Sequence, residues 1–411
     1  MPRRLVIEIM LVVGAVTGCS TASIPPGSTR LPASPAPSTS GRSVPPSPAI
    51  DLPLAPHETL SGANVAGAFD LATDGAVIAW SNGTIDVDAP ELWSFDPTTG
   101  ERSLAYRSPD HGAILANVAV RHGRLVVAEV TPRADGTRTW RLLLIEPDGT
   151  ARRLDANDVS AAQVGILPMA AISDEGVLWA TSHAGDATSL TCQLRYVSLA
   201  DVARMAPAAA RILASAPCTR REIWYPRSDG RQFVFGTVEY AADGSTDERH
   251  VYLLAGGDLE HPARLDDDGA ASLPAVLDGT AIWKAAPREL NMFSPGALVA
   301  KPIAPGSTPE PVAFASTTPL QLTTPSIGPR FYAADDAAGA TVPVWDRTRS
   351  IAVEIDRLAS TDPGFLSGTR LAGDLLAWFH TSSAQGGGTR EIRWLLLGGA
   401  MSSTTGSGAA G

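Results

Sequence analysis

Between Leu92 and Tyr106 the side chains alternate, pause, and alternate again. Leu92, Ser94 and Asp96 interleave with Trp93 and Phe95, Pro97 to Gly100 interrupt them, and RSLAY resumes the pattern. A period of two belongs to a pleated strand, whose successive side chains point to opposite faces. Proline fixes φ for the turn and Gly100 supplies its left-handed corner, so the stretch predicts a hairpin. The same design returns in LLLIEPDGTARRLD, from Leu142 to Asp155. Trp93 and Phe95 are expected to pack against neighbouring strands, with Thr98 to Gly100 only turning the chain.

Seven such units can be traced, each with a glycine, an apolar strand, a polar loop, a second strand, a turn and a last strand. Unit one holds AVIAW (Ala76 to Trp80), ELWSFD (Glu91 to Asp96) and RSLAY; unit two holds RLVVAEV, TWRLLLIE and ARRLD. Unit three holds GVLWATS, CQLRYVS and ARILAS; unit four holds RQFVFGTVEY, HVYLLAG and PARLD. Units five and six read TAIWKAA, LNMFS, PVAFAS and RFYAA, VPVWD, IAVEID. Unit seven has DLLAWFH and EIRWLLLG but no final strand. The opening glycines at 75, 123, 176, 230, 279, 328 and 373 lie 48, 53, 54, 49, 49 and 45 residues apart.

Four short strands in each ~40–50-residue unit describe a β-propeller blade. A blade cannot cover its own two faces and needs neighbours around a ring. The expectation is an all-β chain with one propeller of seven blades. Unit six fits least well, which leaves six blades as the alternative. A segment between Leu52 and Ala63 is expected to supply the strand missing from unit seven and close the ring. Helix is confined to SLADVARMAPAAA, Ser198 to Ala210, inserted in unit three.

The ends of the chain differ from this body. Arg3 and Arg4 precede a short apolar run from Leu5 to Val16, and Val16-Thr17-Gly18-Cys19 follows. The run is too short to span a bilayer, which takes ~20 apolar residues. It resembles a bacterial lipoprotein signal with its lipobox, although Glu8 within the apolar run departs from that pattern. The resemblance implies cleavage before Cys19 and lipidation of that residue, anchoring the protein to the extracytoplasmic face of a cell membrane. The alternative is an ordinary secretory signal followed by chance by a cysteine. Residues 19–56 are dense in Pro, Ser, Thr and Ala, too poor in apolar groups to offset ordering entropy, and read as a disordered tether. Residues 1–18 are thus the expected signal, 57–398 the propeller, and 399–411 a Gly- and Ser-rich tail.

The wording of the repeats resembles the TolB-like and WD40-like propellers of bacterial exported proteins. RLVVAEV followed by LLLIEPDGTARRLD is similar to their second strand, D/E-x-G turn and R-R-L ending. LWSFDPTTGERSLAY also touches the D-x-x-T-G pattern of quinoprotein repeats. It occurs once, with Tyr106 in place of the closing Trp, and no quinone cofactor follows from it. The resemblance implies the fold and no site residue beyond Cys19.

Chemistry is sparse. A formal charge of -11 and a pI near 5.1 argue against nucleic acid as a partner. If Cys19 carries lipid, Cys192 and Cys218 remain as a pair in an oxidising compartment. Cys192 begins one strand of unit three and Cys218 follows the last, which antiparallel pairing brings together. A disulfide is expected there, against two buried thiols. Trp80, Trp179, Trp283 and Trp378 recur in the second strand of four units. They could ring the channel for an apolar ligand or sugar, but packing between blades is the preferred reading.

The seven histidines show no zinc spacing, and Asp266 to Gly269 lacks the alternating ligands of a calcium loop, reading instead as a solvated turn. There is no G-x-S-x-G elbow, and Gly386 to Gly388 lack the lysine of a phosphate loop. No catalytic residue, metal or cofactor is therefore assigned. The expected role is a monomeric, membrane-anchored binding scaffold for an envelope protein or glycan. Loops around Gly185 to Ser189 and Ala242 to Glu248 are its expected partner face. The alternative is a propeller that binds or processes glycans or small molecules through its channel.

Overall fold

The computed structural model describes residues 57–397, except 83–88, 134–137, 160–165, 185–189, 205–209, 242–246, 256, 288–293, 295, 313–320, 360 and 383–388. Its strands form seven four-stranded antiparallel sheets. Blade 1 contains β2 (Asp70–Thr73), β3 (Ile78–Ser81), β4 (Glu91–Asp96) and β5 (Glu101–Arg107). Blade 2 contains β6 (Ile114–Arg121), β7 (Arg124–Pro132), β8 (Arg138–Ile145) and β9 (Ala151–Val159). Blade 3 contains β10 (Met169–Ile172), β11 (Gly176–Ala184), β12 (Leu190–Ser198) and β13 (Arg211–Pro217). Blade 4 follows with β14 (Arg221–Ser228), β15 (Phe233–Tyr240), β16 (Asp247–Ala255) and β17 (Asp258–Arg264). Blade 5 has β18 (Ala271–Leu277), β19 (Thr280–Ala285), β20 (Ala297–Pro302) and β21 (Glu310–Val312). Blade 6 has β22 (Leu322–Ile327), β23 (Phe331–Asp336), β24 (Thr341–Asp346) and β25 (Ile351–Arg357).

Blade 7 combines the two ends of the described chain. Its strands are β26 (Phe365–Ala372), β27 (Leu375–Thr381), β28 (Arg390–Leu396) and, on the outside, β1 (Glu58–Leu60). Glu58 pairs with Trp394 and Leu60 with Ile392, so the segment expected to close the ring does so. All seven repeats are blades, unit six among them, and the six-bladed alternative is excluded. Of the two short helices, α1 (Ala63–Ala66) follows β1, and α2 (Leu199–Ala203) lies within the expected insertion of blade 3. Ser198 caps α2 by accepting the Asp201 backbone N–H.

Hydrophobic clusters fill the seams between consecutive blades. Trp80 of blade 1 packs with Leu375, Ala377 and Phe379 of blade 7, and Trp179 of blade 3 with Val126 and Leu142 of blade 2. Trp283 meets Val234 and Val251 of blade 4, while Trp378 meets Phe331 and Val342 of blade 6. All four indoles therefore face the preceding blade and are buried, as the packing reading required. Trp93 stacks on Trp80 with centroids 6.5 Å apart, and Phe95 meets the Trp394 ring at 5.8 Å. The hairpin at 92–106 is scaffold.

Two expectations about the blades need correction. The third strand of blade 5 is β20, not LNMFS. It pairs with β19 from Ala285 opposite Ala297 to Thr280 opposite Pro302, burying Leu298 and setting Val299 opposite Trp283. Its small and aliphatic residues fit against that indole strand. The repeating glycines, moreover, do not open the blades. Gly75, Gly123, Gly230, Gly279 and Gly373 sit at positive φ in the turn between the first and second strands. Each blade thus begins with an innermost strand upstream of its glycine.

Candidate functional site

The innermost strands β2, β6, β10, β14, β18, β22 and β26 surround a central cavity of about 370 Å³. Five of them carry an irregularity in register: between Ala116 and Ala119, Trp224 and Arg227, Ser272 and Ala275, Leu322 and Pro325, and Ser367 and Arg370. A bulge puts two residues opposite one, bends the strand and re-aims its side chains. Asn117, Tyr225 and Leu273 sit in these bulges with φ of 56°, 48° and 52°, a left-handed conformation that L-residues adopt at a cost. The cavity occupies the half of the ring beyond the bulges, toward the glycine turns.

Its polar lining has two levels. At the mouth, Asp74 and Asp229 serve their own turns: Asp74 accepts the backbone N–H groups of Ala76 and Val77, and Asp229 those of Arg231 and Gln232. Arg121 is neutralised there by Asp174, at 2.8 and 3.2 Å. Deeper lie Asp70, Tyr225, Arg227 and Arg370. Asp70 accepts Leu71 N–H and, across the seam, Val118 N–H, each at 2.8 Å. Arg370 reaches Asp70 and Asp335 only at 3.9 and 3.8 Å. Burial pushes the Asp335 carboxyl above its ordinary range, although the Arg370 charge and the Thr369 N–H, 2.5 Å away, pull the other way.

Arg227 differs from four other arginines of the ring. Arg195, Arg393, Arg330 and Arg141 each meet a carboxylate within 3.0 Å: Asp155, Asp356, Asp346 and Glu129. Among the described residues no carboxylate lies within ion-pair distance of Arg227. It donates to the carbonyl of its neighbour Pro226 at 3.3 Å, and its Cζ stands 5.9 Å from the Tyr225 ring centroid. Burial, with the Arg370 charge added, depresses it to about 10. The nearby ring of Tyr225 holds a hydroxyl that burial raises. The result is a small cavity with excess positive charge at depth and carboxylates at its mouth.

The expected residues fall elsewhere. Cys192 and Cys218 form a disulfide with S–S 2.11 Å and Cα atoms 4.9 Å apart, joining β12 to the residue after β13. Cys19, Gly386 to Gly388, and loops 185–189 and 242–246 lie outside the described residues; Asp247 and Glu248 begin β16. His183 and His380 belong to seam networks rather than to the channel. No group of three His, Cys, Asp or Glu side chains among the described residues is arranged to hold a metal. Asp266 is not the solvated turn residue expected. It is buried, accepts Val251 N–H at 2.7 Å and faces His250 Nδ1 at 3.0 Å, which ties the turn to β16.

Sequence reading missed Tyr225, Arg227 and Arg370 because they lie on inner strands broken by Pro226 or by Gly368 and its bulge. Their signal was positional: each occupies the few residues before a repeating glycine, as in YPRSDG at 225–230.

No known family profile matches the chain, and no curated protein matches its sequence. Solved structures do share its fold. The propeller domain of the Trilobed protease from Pyrococcus furiosus, described as having an open velcro topology, aligns with TM-score 0.52 and 8% identity, over 81% of this chain and 94% of that one. A puromycin-hydrolyzing peptidase from Mycobacterium tuberculosis aligns with TM-score 0.52 and 14% identity over 80% of this chain. This chain spans about half of that peptidase, 53%. TolB from Acinetobacter baumannii aligns with TM-score 0.41 and 11% identity, over 79% and 65% of the two chains. The first two likenesses show the β-propeller fold.

Proposed function

We propose that this protein is a lipid-anchored extracytoplasmic propeller that acts as a binding scaffold at the cell envelope. The observation that carries the reading is the Cys192–Cys218 disulfide, since such bonds persist in oxidising compartments. It agrees with the lipobox-like Val16 to Cys19 and the Pro- and Ser-rich tether after it. Two acyl chains on Cys19 anchor stably where one does not. The ring, closed by β1 on β28, is a rigid support for loops, and rigid supports with variable loops commonly serve recognition. The partner is an envelope protein or glycan.

Fractionation tests the anchor. The wild-type protein is expected in the membrane fraction and labelled by a fatty-acid probe, whereas Cys19→Ala is soluble and unlabelled. Membrane retention of Cys19→Ala would overturn the anchor.

A second reading, small-molecule binding through the channel, is favoured by the charged cavity around Arg227.

A further inference from the structure

We propose that the channel is a specific site for a small ligand bearing one carboxylate or phosphate group, held by Arg227 with Arg370 as the second positive charge. This deepens the small-molecule reading and does not depend on Cys19.

The argument starts from solvation. A guanidinium carries five N–H donors and no acceptor. In water all five are satisfied; inside a ring, the charge is costly unless it is paired and hydrogen-bonded. Arg195, Arg393, Arg330 and Arg141 follow that rule with carboxylates of their own. Arg227 does not, although it sits in the same ring and lines the central cavity. Asp70, the cavity carboxylate that offsets the Arg227 charge, makes no ion pair with it; Asp70 and Asp335 lie 3.9 and 3.8 Å from Arg370, and both are held by backbone N–H groups across blade seams. Among the described residues the fold thus brings no carboxylate into ion-pair distance of this anion acceptor.

Backbone geometry adds an independent reason. Tyr225 is held left-handed so that β14 can bulge, and the bulge carries both its ring and Arg227 into the cavity lining. Local strain of this kind persists where the surrounding structure enforces it and clusters at ligand sites. The planar fork of arginine matches carboxylate and phosphate oxygens in pairs, which a point charge does not. A cavity of about 370 Å³ lies within the range of small-molecule sites. At the mouth, Asp74 and Asp229 disfavour a second acidic group, so the ligand is expected to carry only one and to keep its remaining end neutral.

The test uses full-length protein in detergent at constant ionic strength. Sodium glucuronate and inorganic phosphate are titrated separately by calorimetry, with sodium chloride as control. Saturable one-to-one binding of at least one probe is expected, and which one binds separates a carboxylate from a phosphate ligand. Arg227→Met should weaken that binding at least tenfold while keeping the wild-type circular dichroism. Arg227→Lys, which retains charge without the fork, should fall between the two. Absence of binding by wild type beyond the chloride control overturns the proposal, and so does unchanged affinity in folded Arg227→Met. Either failure leaves the membrane anchoring of Cys19 untouched, so the two readings fail separately.

Discussion

Trp378 donates its indole N–H to Asp356 Oδ2 at 2.8 Å, across the seam between blades 6 and 7. The same oxygen accepts Arg393 Nη1 at 2.9 Å, and Arg393 also contacts His380 Nδ1 at 3.0 Å. Four blades earlier the arrangement recurs. Trp179 donates to Asp155 Oδ2 at 2.9 Å, joined by Arg195 at 2.7 Å and His183 at 3.2 Å. In both, the carboxylate lies on the outermost strand of one blade and its donors on the middle strands of the next. A buried indole thus serves the seam twice, by area and by its polar edge.

Asp356→Ala should destabilise the protein by about 3 kcal/mol, because it leaves the Trp378 N–H and the Arg393 guanidinium short of a buried acceptor. Trp378→Phe loses one neutral donor and some area and should cost less than the charge-breaking change if the latch matters more than the packing. Urea unfolding of the two variants and of their double mutant checks this. Strict additivity would show that the contact seen between the residues carries no coupling.

The latch also predicts a response to acid. Burial alone would raise the Asp155 carboxyl, but bonds from His183, Arg195 and Trp179 outweigh it and hold the group below the ordinary carboxylate range. An unfolded aspartate takes up its proton near pH ~3.9. Between that value and the lower folded one, the unfolded chain binds more protons, so stability falls as pH drops through the window. Asp155→Asn should lower stability at pH 7 and flatten the decline below pH ~4. Thermal unfolding from pH 7 to 3 measures both slopes. Parallel slopes would remove Asp155 as a cause.

The contrast between these seams and the channel explains how much was legible in advance. Strands two, three and four of most blades carry long apolar or alternating runs, as in RLVVAEV and TWRLLLIE, and period and spacing reveal them. The innermost strands hide. In β14, Pro226 and left-handed Tyr225 break the alternation; in β26, Gly368 does the same. Those breaks are what build the cavity, so the feature that makes the site also erases its sequence signal. The latches were invisible for another reason. Asp155 and Arg195 lie 40 residues apart and meet only once two blades stack. The disulfide needed only adjacent strands and was readable.

That disulfide spans a sequence separation of 26 and encloses α2. Closing a loop of this length in the unfolded chain is worth about 3 kcal/mol in the chain-entropy picture. Cys192→Ser with Cys218→Ser should lower stability by that order. Cys192 is fully buried beside Met169 and Trp224, so the loss should concentrate in blades 3 and 4. Hydrogen exchange of the double variant should show faster opening of β12 to β15, with blades 6 and 7 unchanged. Uniform acceleration around the ring would mean that the bond restrains the whole propeller.

Ring closure rests on β1, three residues long. Leu60 enters the cluster with Trp80 and Ile392, and the chain beyond is held by Arg102, which donates to Ser61 O and Asn64 Oδ1. Arg390 donates to Ala68 O, drawing blade 7 against the start of blade 1. Deleting residues 57–60 would leave β28 an edge strand with unpaired backbone groups, a template for another chain. It would also remove the apolar burial of Leu60, worth roughly 2 kcal/mol. Light scattering should show self-association of the deletion, whereas Leu60→Ala, which keeps the backbone pairing, should remain monomeric and only less stable. The distinction matters because it separates two functions of one strand: covering an edge and filling a seam. Should the deletion stay monomeric with an unchanged melting temperature, six complete blades and an open seventh would suffice, and β1 would be ornament to the ring rather than its closure.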